Sequence, residues 1–163
     1  MAITFNADEI FEIAEQIERN GGKFYRKAAE LTGDKKAKKI FGELAAMEDR
    51  HLAVFQTMRK ELVEDEKKPT VFDPEGQGAL YLQALADARV FDVSVDPSSR
   101  LTGRETAADV LRMAIGLEKD SVAFYVGMKE LVPADLGGNK IDRIIGEEMS
   151  HVTILSGELL KVL

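Results

Sequence analysis

The sequence has no cysteine, so disulfides, thiolate metal sites and cysteine-ligated iron–sulfur centres are all excluded. No apolar run approaches the roughly 20 residues needed to cross a bilayer, so no membrane association is expected. The start, Met1-Ala2-Ile3-Thr4-Phe5, lacks the basic segment and apolar stretch of a secretory signal, which makes the cytoplasm the expected location. Positive charge is also in short supply. Twenty-two Lys and Arg stand against 29 Asp and Glu, for a net charge of −7, and no basic stripe offsets it. Nucleic acid is therefore not an expected partner. Histidine is scarcer still, with two in 163 residues.

What is present fits a soluble globular protein. Hydrophobic residues make up 45% of the chain and charged residues 31%, which argues against disorder. A chain of 163 residues is most simply one domain, spanning 1–163, with enough length to bury a core.

The two histidines occupy matching settings, Glu48-Asp49-Arg50-His51 and Glu148-Met149-Ser150-His151. On an α-helix, residues three apart stand about 60° from one another around the axis and one turn apart along it. A carboxylate and an imidazole can thus converge on one point. Two such pairs brought face to face form the core of a metal site.

The apolar periodicity is helical throughout. Asn6 and Glu9 have the form of a capping box, and a stripe of Ile10, Ile13, Ala14, Ile17, Phe24, Ala28 and Leu31 ends near Thr32-Gly33. Asp34 can cap a second helix, with Ile40, Phe41, Leu44, Met47, Leu52, Phe55, Met58 and Leu62 on its apolar side. That helix is expected to fade into the charged run Glu64 to Lys68 and stop before Pro69. The short turn makes an antiparallel hairpin of about 6–68. Pro69, Pro74 and Pro97 mark residues 69–103 as a crossover, with a short helix of its own around Ala79 to Arg89. A third long helix is expected to start at Thr102 or Gly103 and run to Leu131. Val132 to Gly138 breaks it, and a last helix starts near Asn139, giving a second hairpin of about 104–163. The expected fold is all-α, a four-helix bundle of two hairpins joined by a long crossover.

The second hairpin repeats the first at an offset of 100 residues. The offset pairs Ala14 with Ala114, Glu18 with Glu118, Phe24 with Phe124, Tyr25 with Tyr125, and the two Glu-x-x-His motifs with each other. Shared glutamate, Phe-Tyr and Glu-x-x-His in one frame imply hairpins related by an approximate two-fold axis. Glu18 and Glu118 lie in otherwise apolar inward stripes. A lone buried carboxylate costs several kcal/mol, so such a residue is ordinarily paired, protonated or bound to a metal. Tyr25 and Tyr125 lie two turns further on, where their hydroxyls can reach the inward carboxylates of the opposite hairpin. The candidate ligands are Glu18, Glu48, His51, Glu118, Glu148 and His151. Four carboxylates and two imidazoles suit two hard or borderline cations, with iron or manganese ahead of zinc. The methionines, Met47 among them, are scattered at core spacing and read as filler.

This set resembles the ferritin-like superfamily, and most closely the rubrerythrin-type di-iron proteins. Their hallmark, one glutamate from each of two helices and Glu-x-x-His from each of the other two, is met here. The carrying motif, Glu-x6-Tyr followed by Glu-x-x-His, occurs twice, as Glu18/Tyr25 with Glu48/His51 and Glu118/Tyr125 with Glu148/His151. The resemblance implies two iron ions bridged by Glu48 and Glu148, with manganese or a mixed pair as alternatives. Glu18 and His51 would complete one site, Glu118 and His151 the other. All six ligands would act catalytically through the metals, with Tyr25 and Tyr125 supporting them.

Two departures bear on activity. The rubredoxin domain common in the family is missing from this chain, so electrons are expected from a separate rubredoxin-like or flavoprotein donor, or from ferrous iron itself. The extra glutamate of the family's peroxidases is replaced by Ser121, with Gly21 as its repeat mate, a symmetric six-ligand pattern closer to bacterioferritin. The leading expectation is an oxidoreductase whose di-iron centre reacts with hydrogen peroxide or O2, in a homodimer. Alternatives are a ferroxidase or iron-storage role, a metal-binding bundle with little turnover, and a di-manganese catalase-like site.

Several residues near the motifs carry blander expectations. Glu147 reads as a polar flank because its mate Met47 is apolar, and Glu15 as a surface or rim residue because its mate is Ile115. Asp120 should point away from the site, and Tyr81 should pack rather than react. Gly21-Gly22, costly within a helix at roughly 1 kcal/mol each, reads either as close packing or as space beside the metals.

Overall fold

The computed structural model describes residues 7–62, 80, 81, 84, 94–131 and 138–163. Four long helices are found there, α1 (Ala7–Leu31), α2 (Lys35–Lys60), α3 (Ala107–Leu131) and α4 (Gly138–Val162), with no strand among the described residues. At 1.5 Å per residue each is about 38 Å long. A 3₁₀ turn, Pro97–Arg100, packs against α1. α1 lies along α2 and α3 along α4, and α1 also touches α3. The architecture of the described residues is an all-α four-helix bundle.

Local chemistry sets some of the helix ends. Asp34 turns α1 into α2: it sits in extended backbone and accepts the Ala37 N–H at 2.8 Å. The Arg59 guanidinium grips both Asp8 oxygens, at 2.8 and 2.9 Å, tying the end of α2 to the start of α1. α2 ends at Lys60, earlier than its periodicity predicts, and the Asn6 capping expectation falls outside the described residues. Residues 80, 81 and 84 are helical, and the rest of the expected crossover helix lies outside the described residues.

The start of α3 differs from the sequence expectation by several residues. Thr102 does begin a capping-type turn, with its N–H donating to Glu105 Oε1 at 3.0 Å, but Gly103 follows at φ +84°, which no right-handed helix contains. The same pattern recurs four residues later. Thr106 Oγ1 accepts the Asp109 N–H and Asp109 Oδ2 accepts the Thr106 N–H, both at 3.1 Å, and the helix begins there. Two successive Thr-x-x-acid motifs exist, and only the second leads into a helix.

The core consists of two clusters. One holds Ile10, Phe11 and Ala14 of α1, Phe55 and Met58 of α2, Phe124 and Tyr125 of α3, and Ile141 and Ile144 of α4. The other holds Phe24, Tyr25 and Ala28, then Phe41 and Leu44, then Leu111 and Ala114, and finally Leu155. Repeat mates fall in opposite clusters: Ala14 and Ala114, Phe24 and Phe124, Leu44 and Ile144, Phe55 and Leu155. That exchange is what a two-fold axis across the bundle produces. On every helix the candidate ligands stand between the segments assigned to the two clusters.

Phe124 is fully buried, whereas Asp34 acts only at a helix end. Phe124→Ala is expected to lower stability by about 3–5 kcal/mol, and Asp34→Ala by about 1 kcal/mol. Urea unfolding of the two variants checks the ranking; equal losses would contradict a core layered in this way.

Candidate metal centre

Between the two apolar clusters the helices direct six ionisable side chains inward. Glu18, Glu48, His51, Glu118, Glu148 and His151 are each at most 4% exposed. Their atoms form two overlapping groups: Glu18, Glu48, His51 and Glu148, and Glu48, Glu118, Glu148 and His151, with one ligand atom per residue lying within 4.8 Å of the others. Glu48 and Glu148 are the members common to both. The two imidazole rings lie nearly parallel, 18° apart in plane, with centroids separated by 5.9 Å.

Both histidines turn Nδ1 inward. His51 Nδ1 is 2.8 Å from Glu148 Oε1 and 3.5 Å from Glu18 Oε2. His151 Nδ1 is 3.1 Å from Glu148 Oε2, 3.3 Å from Glu118 Oε2 and 3.7 Å from Glu48 Oε1. The tyrosines cross between hairpins: Tyr25 donates its hydroxyl to Glu118, and Tyr125 donates to Glu18. Each therefore fixes one oxygen of a carboxylate on the other hairpin and leaves the second oxygen free to face the centre.

Gly21 explains part of this geometry. A Cβ there would lie 3.0 Å from Glu48 Oε2, so the absent side chain is the room that the Glu48 carboxylate uses. Its mate Ser121 spends its hydroxyl on the Leu117 carbonyl at 3.0 Å. At Gly22 the nearest neighbour is the end of the Arg26 side chain, so only Gly21 bears on the site.

Electrostatics reflect how closely these buried charges are crowded together. Burial, followed by neighbouring carboxylates, pushes Glu48 well above the usual carboxylate range; burial does the same to Glu18 against opposing hydrogen bonds. Burial and its hydrogen bond with Glu148 carry Glu118 up to about 8. Burial acts to raise Glu148 too, yet hydrogen bonds from Glu118 and both histidines hold it well below the usual range. Burial disfavours the charged imidazoles, but their carboxylate partners outweigh it and raise His51 to about 9 and His151 to about 10. Burial first, and then negative charge, keeps both tyrosines protonated as donors.

Glu18 Oε2, Glu48 Oε1, Glu148 Oε1 and His51 Nδ1 are buried with no well-aligned hydrogen bond. Native interiors seldom leave such atoms unsatisfied. Four in one place, all nitrogen or carboxylate oxygen, fit a first-row divalent cation and supply nothing soft that would favour copper(I).

Two expectations from the sequence are corrected. Glu147 is not a polar flank: its Oε2 is 2.7 Å from His51 Nε2, while its Oε1 accepts from Arg143 Nε at 2.8 Å. Glu15 is not at the surface: it is 5% exposed, with Arg19 2.6 Å and Arg59 3.5 Å from its oxygens. In both cases the repeat mate is apolar, and reading one half from the other hides a carboxylate with partners of its own: Glu147 meets His51 across the bundle, and Glu15 meets Arg19 on its own helix and Arg59 on α2. Met47 is more than core filler, since it places Sδ 3.2 Å from His151 Nε2. Tyr81 donates to the Ala123 carbonyl at 3.0 Å, and Asp120 lies beside Pro97 and Arg100, away from the centre.

The protonation pattern predicts how the metal-free protein responds to pH. Glu118, His51 and His151 all have folded-state values above their ordinary ones, so the folded state holds more protons than the unfolded chain. The stability they contribute is complete below their ordinary values and is lost as pH rises toward 8, 9 and 10 respectively. Each excess proton is worth up to about 1.4 kcal/mol per pH unit. The melting temperature of metal-free protein should therefore fall from pH 6.5 to pH 9, whereas a bound cation, which requires deprotonated ligands, should flatten or reverse the trend. A metal-free melting temperature that rises over this interval would contradict the assignment.

Comparison with known proteins agrees with the geometry. Residues 2–59, which contain α1 and nearly all of α2, match the family Rubrerythrin. No curated protein matches the chain. Among solved structures, it is similar to a protein from Thermotoga maritima described as ferritin-like and diiron-carboxylate, with 26% identity, a TM-score of 0.77 and complete coverage of both chains. The bundle, the crossed tyrosines and the doubled Glu-x-x-His cluster give the chain a ferritin-like fold, and its first hairpin matches the Rubrerythrin family.

Proposed function

We propose that the protein is a di-iron oxidoreductase that reduces hydrogen peroxide or O2. The observation carrying this reading is the pair of overlapping ligand groups that share Glu48 and Glu148. In this reading Glu48 and Glu148 would be shared by two ions, Glu18 and His51 would complete one position, and Glu118 and His151 would complete the other. Bound iron supplies the redox chemistry, one electron from each ion, so that a pair can reduce peroxide to two waters with two protons taken up.

The chain's own groups shape that chemistry. Carboxylates favour the more highly charged oxidised ions, and four of them balance much of the charge of two cations. Tyr25 and Tyr125 orient Glu118 and Glu18 from the opposite hairpin, so the terminal ligands cannot swing freely. The apolar clusters on either side exclude water and strengthen every electrostatic interaction within. In this reading reducing equivalents come from a separate rubredoxin-like or flavoprotein donor, or from ferrous iron itself.

One observation favours a second reading. Neither Gly21 nor Ser121 offers a further carboxylate, which leaves a symmetric six-ligand set suited to oxidising ferrous iron for storage or transfer.

Anaerobic loading should yield two irons per chain. Faster oxidation of the loaded site by peroxide than by O2 supports the peroxidase reading, whereas faster reaction with O2 and continued iron uptake favours iron handling. Glu48→Ala and Glu148→Ala should each sharply reduce iron occupancy by elemental analysis. Two tightly held irons in both variants would overturn the bridging assignment.

A further inference from the structure

His51 and His151 are repeat mates with the same inward nitrogen, yet their outward nitrogens meet different chemistry. His51 Nε2 faces the Glu147 carboxylate at 2.7 Å, and His151 Nε2 faces the Met47 thioether at 3.2 Å. Met47 and Glu147 are themselves repeat mates, each reaching across to the histidine of the opposite hairpin. One position in the fold is thus a charged acceptor on one side of the centre and a weak, neutral acceptor on the other.

We propose that the two cation positions are inequivalent, and that the position at Glu18 and His51 binds a first-row divalent cation more tightly because Glu147 anchors His51. The proposal rests on the metal-centre reading given above, and not on peroxide or O2 chemistry. An imidazole that ligates through Nδ1 keeps its remaining proton on Nε2. A carboxylate accepting that proton fixes the tautomer and the ring orientation and makes Nδ1 a stronger donor. Arg143 holds the other Glu147 oxygen at 2.8 Å, so the acceptor is already oriented. A thioether accepts a hydrogen bond only weakly, leaving the His151 ring less constrained. Removing a partner of this kind ordinarily lowers metal affinity by about 10–100-fold. Glu147 is therefore a positioning residue, acting through His51.

Cobalt(II) tests this without reference to turnover. Crystals given one equivalent of cobalt per chain should show anomalous density mainly at the Glu18–His51 position, and two equivalents should fill both. In solution, cobalt absorbance titrations of Glu147→Met should show the first binding step weakened about 10–100-fold, with the preference between positions lost. Met47→Glu, the reverse change, should strengthen the weaker step, and it keeps the test decisive if Glu147→Met does not fold. Equal anomalous density at one equivalent, or a folded Glu147→Met that binds both ions as the parent does, would overturn the inequivalence. Failure to bind any cobalt would bring down the metal centre itself.

Discussion

The bundle is built around an electrostatic problem: four carboxylates and two imidazoles sit in its middle, shielded from water. Left as separate ions they would be prohibitively destabilising. The chain answers in three ways. Imidazole and carboxylate are interleaved so that each positive group contacts negative ones, protons are retained on acids that would normally have lost them, and tyrosine hydroxyls cap oxygens that face away from the centre. Several ligand atoms nonetheless remain without a well-aligned partner. A cation would satisfy them together.

This arrangement also gives the fold a register. A slip of one helical turn would displace a side chain by about 5.4 Å along the bundle, well beyond the reach of a hydrogen bond. Tyr25 would then miss Glu118, Tyr125 would miss Glu18, and charged groups would enter the aromatic layers on either side. Apolar packing alone discriminates poorly between such slips, because Phe, Leu and Ile can repack with one another. The polar layer penalises them.

The repeat makes most of the centre legible from sequence. Inward carboxylates at Glu18 and Glu118 stand out because an apolar stripe surrounds them, and the 100-residue offset joins them to the Glu-x-x-His pairs. The crossing of the tyrosines is legible for the same reason, since two turns of helix carry a hydroxyl away from its own glutamate. What stays hidden depends on contacts between helices that periodicity does not encode. Glu147 finds His51 only once α4 lies beside α2, and Glu15, buried on α1, meets Arg59 only once α2 lies beside α1. The start of α3 is ambiguous in sequence because two capping motifs follow one another, and only the backbone of Gly103 decides between them.

The exchange of the two core clusters by the two-fold axis has a consequence for how this centre can vary. The same axis relates subunits in a symmetric dimer, and two copies of one hairpin facing each other would present the same six inward groups. In such a dimer every substitution appears twice, once on each side of the axis. Joining both hairpins in one chain removes that restriction, and each half can change alone. Gly21 against Ser121, Met47 against Glu147 and Ile115 against Glu15 are differences of that kind. They flank the candidate ligands without altering them, so the covalent connection allows one symmetric set of side chains to be held in two unlike surroundings.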